Sequence, residues 1–85
     1  MLTGTVFGFR VLALRKSRNE PQRVLAELLG VSANQICEIE KGRKTTKLDN
    51  VVRLCRHYNV SADYLLGLID EPRPLEPEDT DGGPG

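Results

Sequence analysis

The chain has no tryptophan, two tyrosines, two phenylalanines, two cysteines and one histidine among its 85 residues. Two cysteines and one histidine fall short of the ligand set of a structural zinc site, so no metal is expected. Cys37 and Cys55 both fall in predicted helices and read as free, partly buried thiols, with a redox role for Cys37 as the alternative. His57 lacks companions that would assemble a nucleophile, a base and an orienting group, which argues against an enzyme, a small-molecule substrate and a cofactor. No apolar run approaches the ~18 residues of a membrane span. The stretch MLTGTVFGFR has neither the basic start nor the long apolar core of a secretory signal. The expectation is a cytoplasmic protein of one small domain, off the membrane and with little core to spare.

Net charge is missing only on average. Residues 1–68 carry 11 Lys+Arg against 6 Asp+Glu, a net of +5, while residues 69–85 carry one Arg against 6 Asp+Glu, a net of −5. The chain therefore divides into a basic globular part, 1–68, and an acidic tail, 69–85. The tail holds four of the five prolines and almost no apolar residue, a composition that predicts disorder. The basic part suits phosphate binding.

What is present is helical periodicity. Thr5 predicts the start of a helix running to about Arg18, with Phe7, Val11 and Leu14 on its inner stripe and Gly8 as a local weakness. Asn19-Glu20-Pro21 interrupts the pattern, and Pro21 suits the first position of a second helix to Leu29 that buries Leu25, Leu28 and Leu29. A third helix, Ala33 to Glu40, follows a Ser32 cap and ends at Gly42. Leu48, Val51, Leu54 and Tyr58 mark the inner side of a fourth. Ser61 opens a short fifth, with Val60 as its staple. No strand pattern is visible, and the fold class is all-α with five helices.

The run from Gln22 to Lys41, QRVLAELLGVSANQICEIEK, carries the most information. Ala26 leaves room for two helices to cross closely, and Gly30 supplies the positive φ that ends the first of them. Val31, Ile36 and Ile39 turn the apolar side of the second helix inward. Such an arrangement presents a polar second helix to the major groove of DNA.

The chain resembles the XRE/Cro/phage-repressor (lambda-repressor-like) helix-turn-helix family from about Phe7 to Leu68. The matching pieces are Gly8 with Arg10, Val11, Leu14 and Arg15, then Gln22 with Leu25-Ala26, then Leu29-Gly30-Val31-Ser32 and Ile36. Ile39-Glu40-Lys41-Gly42, Leu48 and Val60-Ser61-Ala62-Asp63-Tyr64-Leu65-Leu66-Gly67 complete the match. The resemblance implies a helix-turn-helix core at 22–41 with a recognition helix at about 33–40. It implies a transcriptional regulator of double-stranded DNA, a repressor occupying an operator. It also implies that Arg15 pairs with Glu40 as a structural salt bridge.

By the same resemblance Ser32, Ala33, Asn34 and Glu38 face base edges, and Gln35 lies near the same edge as a further candidate. Asn34 suits adenine N6 and N7, and Ala33 suits a thymine methyl. Glu38 departs from the pattern because phosphate repels a carboxylate; either it accepts from cytosine N4 or Arg43 or Lys41 holds it back. Gln22, at a helix start, and the cations Lys41, Arg43, Lys44 and Lys47 are the candidate phosphate anchors. Pro21 stands where the family usually has a capping serine or threonine, and Thr46 where many relatives have proline. A homodimer on two half-sites about 34 Å apart is expected, with Tyr64, Leu68 and Ile69 as its candidate surface. The alternative is an antitoxin or other interaction module whose acidic tail binds a protein partner.

Overall fold

The computed structural model describes residues 3–75 and builds them into five helices, α1 (Thr3–Ser17), α2 (Gln22–Leu29), α3 (Ala33–Glu40), α4 (Leu48–Tyr58) and α5 (Ala62–Leu65). Each junction has a local cause. Pro21 is extended at the start of α2, so it caps the helix rather than occupying its first turn. Gly30, at φ 70°, closes α2 by donating its N–H to the Ala26 carbonyl, as a left-handed cap requires. Ser32 and Gln35 form a reciprocal capping box at the head of α3. Asn59, at φ 52°, ends α4, and the Ser61 hydroxyl accepts the Tyr64 N–H at the head of α5.

The core draws on every helix. Phe7 and Val11 of α1, Leu25 and Leu29 of α2, Ile36 and Ile39 of α3, Leu54 and Tyr58 of α4, and Leu65 of α5 are all buried. Helix α3 packs against both α1 and α2, and its approach to α1 depends on Gly8. A Cβ at Gly8 would lie 2.1 Å from the Ile39 carbonyl oxygen. Gly8, a weak point of α1 by propensity, is instead what lets α3 sit against it.

Some expected core positions differ. Leu14, Leu28 and Val31 are only half-buried and pack against the edge of the core. Leu48 is 76% exposed. As the first residue of α4 its side chain tilts toward the helix start and overhangs the end of the apolar stripe to which its spacing assigns it.

Composition predicts a disordered tail over residues 69–85. Of these, Ile69–Leu75 instead return along the α4–α5 junction. Arg10 donates to the Ile69 carbonyl at 2.7 Å, the Ser61 N–H donates to the Arg73 carbonyl at 2.8 Å and the Leu75 N–H to the Asn59 carbonyl at 3.3 Å. Backbone groups left over where α4 ends and α5 begins thus find partners in this strap. The rest of the expected tail, 76–85, lies outside the described residues. Among the described residues no helix is long and apolar enough to cross a membrane, and no group of three or more His, Cys, Asp or Glu is arranged to hold a metal ion.

Candidate nucleic-acid interface

Burial of Ile36 and Ile39 fixes the rotation of α3. With those two inward, Ser32, Ala33, Asn34 and Gln35 are exposed along the first turn, and Glu38 is half-buried one turn on. The capping box uses part of this edge. The Ser32 N–H donates to Gln35 Oε1 at 3.0 Å, and the Gln35 N–H donates to Ser32 Oγ at 3.1 Å. Ser32 and Gln35 therefore hold the helix start in shape, and Ala33 and Asn34 stand beyond that cap. Arg43 Nη1 lies 3.4 Å from Glu38 Oε2, which turns the one carboxylate on this face toward a cation.

The far end of α3 is anchored from behind. Arg15 Nε lies 2.6 Å from Glu40 Oε2 and Arg15 Nη2 lies 3.0 Å from Glu40 Oε1. The two side chains are 11% and 4% exposed, so each needs the other to offset desolvation. The hydrogen bond to Glu40 raises the Arg15 pKa against the opposing effect of burial. Gln22 Nε2 donates to Glu40 Oε1 at 3.0 Å, and Arg15 Nη1 donates to the Glu20 carbonyl at 2.7 Å. The Gln22 side chain, expected to meet phosphate, thus ties the start of α2 to the end of α3.

A second cluster has no counterpart among the sequence expectations. Glu20, in the α1–α2 loop, accepts from the Tyr58 hydroxyl at 2.7 Å and lies 2.9 Å from His57 Nε2. Arg18 donates to the His57 carbonyl at 2.9 Å and stacks 5.0 Å from the Tyr58 ring centre. Burial opposes ionisation of Glu20, but the Tyr58 and His57 hydrogen bonds, with the His57 and Arg18 charges, outweigh it and hold the carboxyl below its ordinary range. Burial and the Glu20 carboxylate together push the Tyr58 phenol well above its usual value. The cluster fixes the loop that leads into α2 against the end of α4. Nothing in the local spacing announces it, because its partners lie 37 and 38 residues apart.

Lys41, Arg43, Lys44 and Lys47 lie in the segment between α3 and α4, with Lys41, Arg43, Lys44 and Lys47 all exposed. Among the described residues no carboxylate lies within ion-pair distance of Lys41, Lys44 or Lys47. The candidate dimer residues divide: Leu68 is 72% exposed, Ile69 is half-buried, and the Tyr64 ring lies 4.2 Å beneath the Arg10 guanidinium. Phe9, 66% exposed, lines a cleft with Val6, Gly67 and Asp70.

A helix-turn-helix family model matches residues 11–65. The chain is similar to an uncharacterized HTH-type transcriptional regulator of Bacillus subtilis (strain 168), YobD, at 40% identity over 65 residues, 76% of this chain and 58% of that protein. It spans about half the length of the curated relatives it matches. Among solved structures it is similar to the P22 c2 repressor protein in complex with a synthetic operator, with TM-score 0.65 and 32% identity over 71% of this chain and 91% of that one. The restriction-modification controller protein C.AhdI from Aeromonas hydrophila gives TM-score 0.63 and 26% identity over 73% of this chain and 94% of that one.

Proposed function

Because the chain belongs to the helix-turn-helix family, we propose that it is a sequence-specific regulator of transcription that binds double-stranded DNA and represses by occupying an operator. The observation that carries this is the exposed first turn of α3, Ser32 to Gln35, on a helix held rigidly from behind by Arg15 and Glu40. A base-reading helix has to keep its orientation while losing hydration, and a buried bidentate pair at its far end serves that purpose. The likeness in fold and sequence to the P22 c2 repressor, whose structure holds a synthetic operator, supports the same docking.

In this reading Asn34 reads adenine in the major groove, Ala33 meets a thymine methyl, and Glu38, paired with Arg43, accepts from cytosine N4. Ser32 and Gln35 meet the groove from within the capping box. Lys41, Arg43, Lys44 and Lys47 meet phosphate and carry affinity without sequence information. The Gln22 amide approaches the same backbone while bonded to Glu40.

A single domain of this size reads too few base pairs to select a site in a genome. The reading therefore includes a homodimer, with Leu68 and Ile69 joined by Phe9 at its surface. If four phosphates are neutralised per subunit, affinity falls with salt on a log–log slope of roughly −7 for the dimer. Selection of bound duplexes from a random-sequence library by the purified protein tests the proposal. Recovery of an inverted repeat with centres one helical turn apart supports it. A folded protein that enriches no motif contradicts it.

A further inference from the structure

The strap after α5 is pinned along its course. Arg10 donates to the carbonyls of Tyr64 and Ile69 and lies 4.0 Å from Asp70. The Arg73 carbonyl and the Leu75 N–H then bond to Ser61 and Asn59. Leu75 finally lines an apolar groove along α4 together with Leu48, Val52, Arg56 and Leu66. Leu48 and Val52 are 76% and 46% exposed, so Leu75 covers the groove only in part. Lys47 immediately precedes Leu48, which makes the groove a path from the strap to the basic segment.

The charges at the two ends of this path are complementary. Directly after Leu75 the sequence reads EPEDTD, with Glu76, Glu78, Asp79 and Asp81 as four carboxylates and no cation in six residues. The segment Lys41–Lys47 has four cations and no carboxylate in seven residues. Three of those cations have no carboxylate within ion-pair distance among the described residues. Helix α4 has 11 residues and rises about 16 Å, a distance that six extended residues cover with about 20 Å of reach.

We infer that Glu76–Asp81 is an intramolecular occupant of the basic segment Lys41–Lys47, delivered along the α4 groove, and that it competes there with an incoming phosphate backbone. The competition rests on the DNA-binding reading; the contact itself does not. Tethering only a few residues away gives the acidic segment an effective concentration in the millimolar range. Every duplex has to displace it, so it weakens selected and random DNA by the same factor and keeps non-specific occupancy low. Because salt loosens the internal contact as well, the chain loses DNA affinity with salt less steeply than its cations alone dictate.

The test compares the full chain with a full-length variant carrying Glu76→Gln, Glu78→Gln, Asp79→Asn and Asp81→Asn. Amide spectra without DNA at low salt should differ at Lys41–Lys47, independently of protein concentration. The difference should vanish near 1 M salt, where screening acts within about 3 Å. The variant should bind a random-sequence duplex about tenfold tighter at low salt, with a steeper salt slope. Identical amide positions at Lys41–Lys47 would overturn the inference. Differences that grow with protein concentration would overturn it too, by making a second copy the occupant. If the amides differ as expected and neither chain binds any duplex, the internal contact stands and the DNA reading fails.

Discussion

Gly8 faces the Ile39 carbonyl so closely that any side chain at that position would collide with it, since a Cβ there would lie 2.1 Å from the oxygen. The collision is with backbone, which has no alternative rotamer. Relief therefore requires α1 and α3 to separate, and α3 carries the exposed edge from Ser32 to Gln35.

Gly8→Ala removes a helix-interior glycine, which in isolation favours the helix by about 1 kcal/mol. Here the overpacking outweighs that gain and the substitution destabilises by roughly 1–3 kcal/mol. Thermal unfolding followed by circular dichroism checks the sign. An unchanged or raised midpoint would mean that α1 and α3 are not in close contact.

Arg15→Ala leaves Glu40 buried, 4% exposed, with its charge uncompensated by the guanidinium. The expected loss is about 3–5 kcal/mol. Arg15→Lys keeps the charge but not the fork that reaches both carboxylate oxygens, so it should fall between the two. Urea denaturation orders the three proteins. Equal stability of the lysine variant and the parent would show that bidentate geometry contributes nothing.

Glu20 and Tyr58 make stability depend on pH at both extremes. A carboxyl held low in the fold stabilises above its ordinary value of 4.5, and that contribution is lost as pH falls through the lowered folded value. A phenol held high in the fold stabilises below its ordinary value of 10.0, and that contribution is lost as pH rises toward the raised folded value. The stability gap between the parent and Glu20→Gln should therefore shrink in acid, and the gap to Tyr58→Phe should shrink above pH 10.0. Denaturation curves across the pH range measure both gaps. Gaps that stay constant would remove the cluster from the stability of the fold.

The helices are legible in the sequence because their signals are local. Ser32 and Gln35 form the capping box three residues apart, and Gly30 ends α2 where its sequence neighbours change period. The pairing of Arg15 with Glu40 is legible only through family resemblance, since spacing says nothing about residues 25 apart. Gly8 misleads for the same reason: its helix-breaking tendency is local, whereas the contact that demands it comes from another helix. Glu20, His57 and Tyr58 leave one weak sign, a charged residue just before Pro21 in a short loop. Apolar spacing points Leu48 inward, because spacing does not register that the first residue of a helix overhangs its end. Composition alone divides the chain at residue 69 and does not show that backbone groups at Ser61 and Asn59 hold the first part of that segment.

The most direct measurement of the central claim is the affinity of Asn34→Ala and Lys44→Ala for a selected duplex and for a random one, across salt. Asn34→Ala should cost about 1–3 kcal/mol on the selected duplex and almost nothing on the random one. Lys44→Ala should weaken both alike and reduce the salt slope by about one per subunit. If both substitutions lowered selected and random binding by the same factor, α3 would not be reading base edges, and the account of this interface would be wrong.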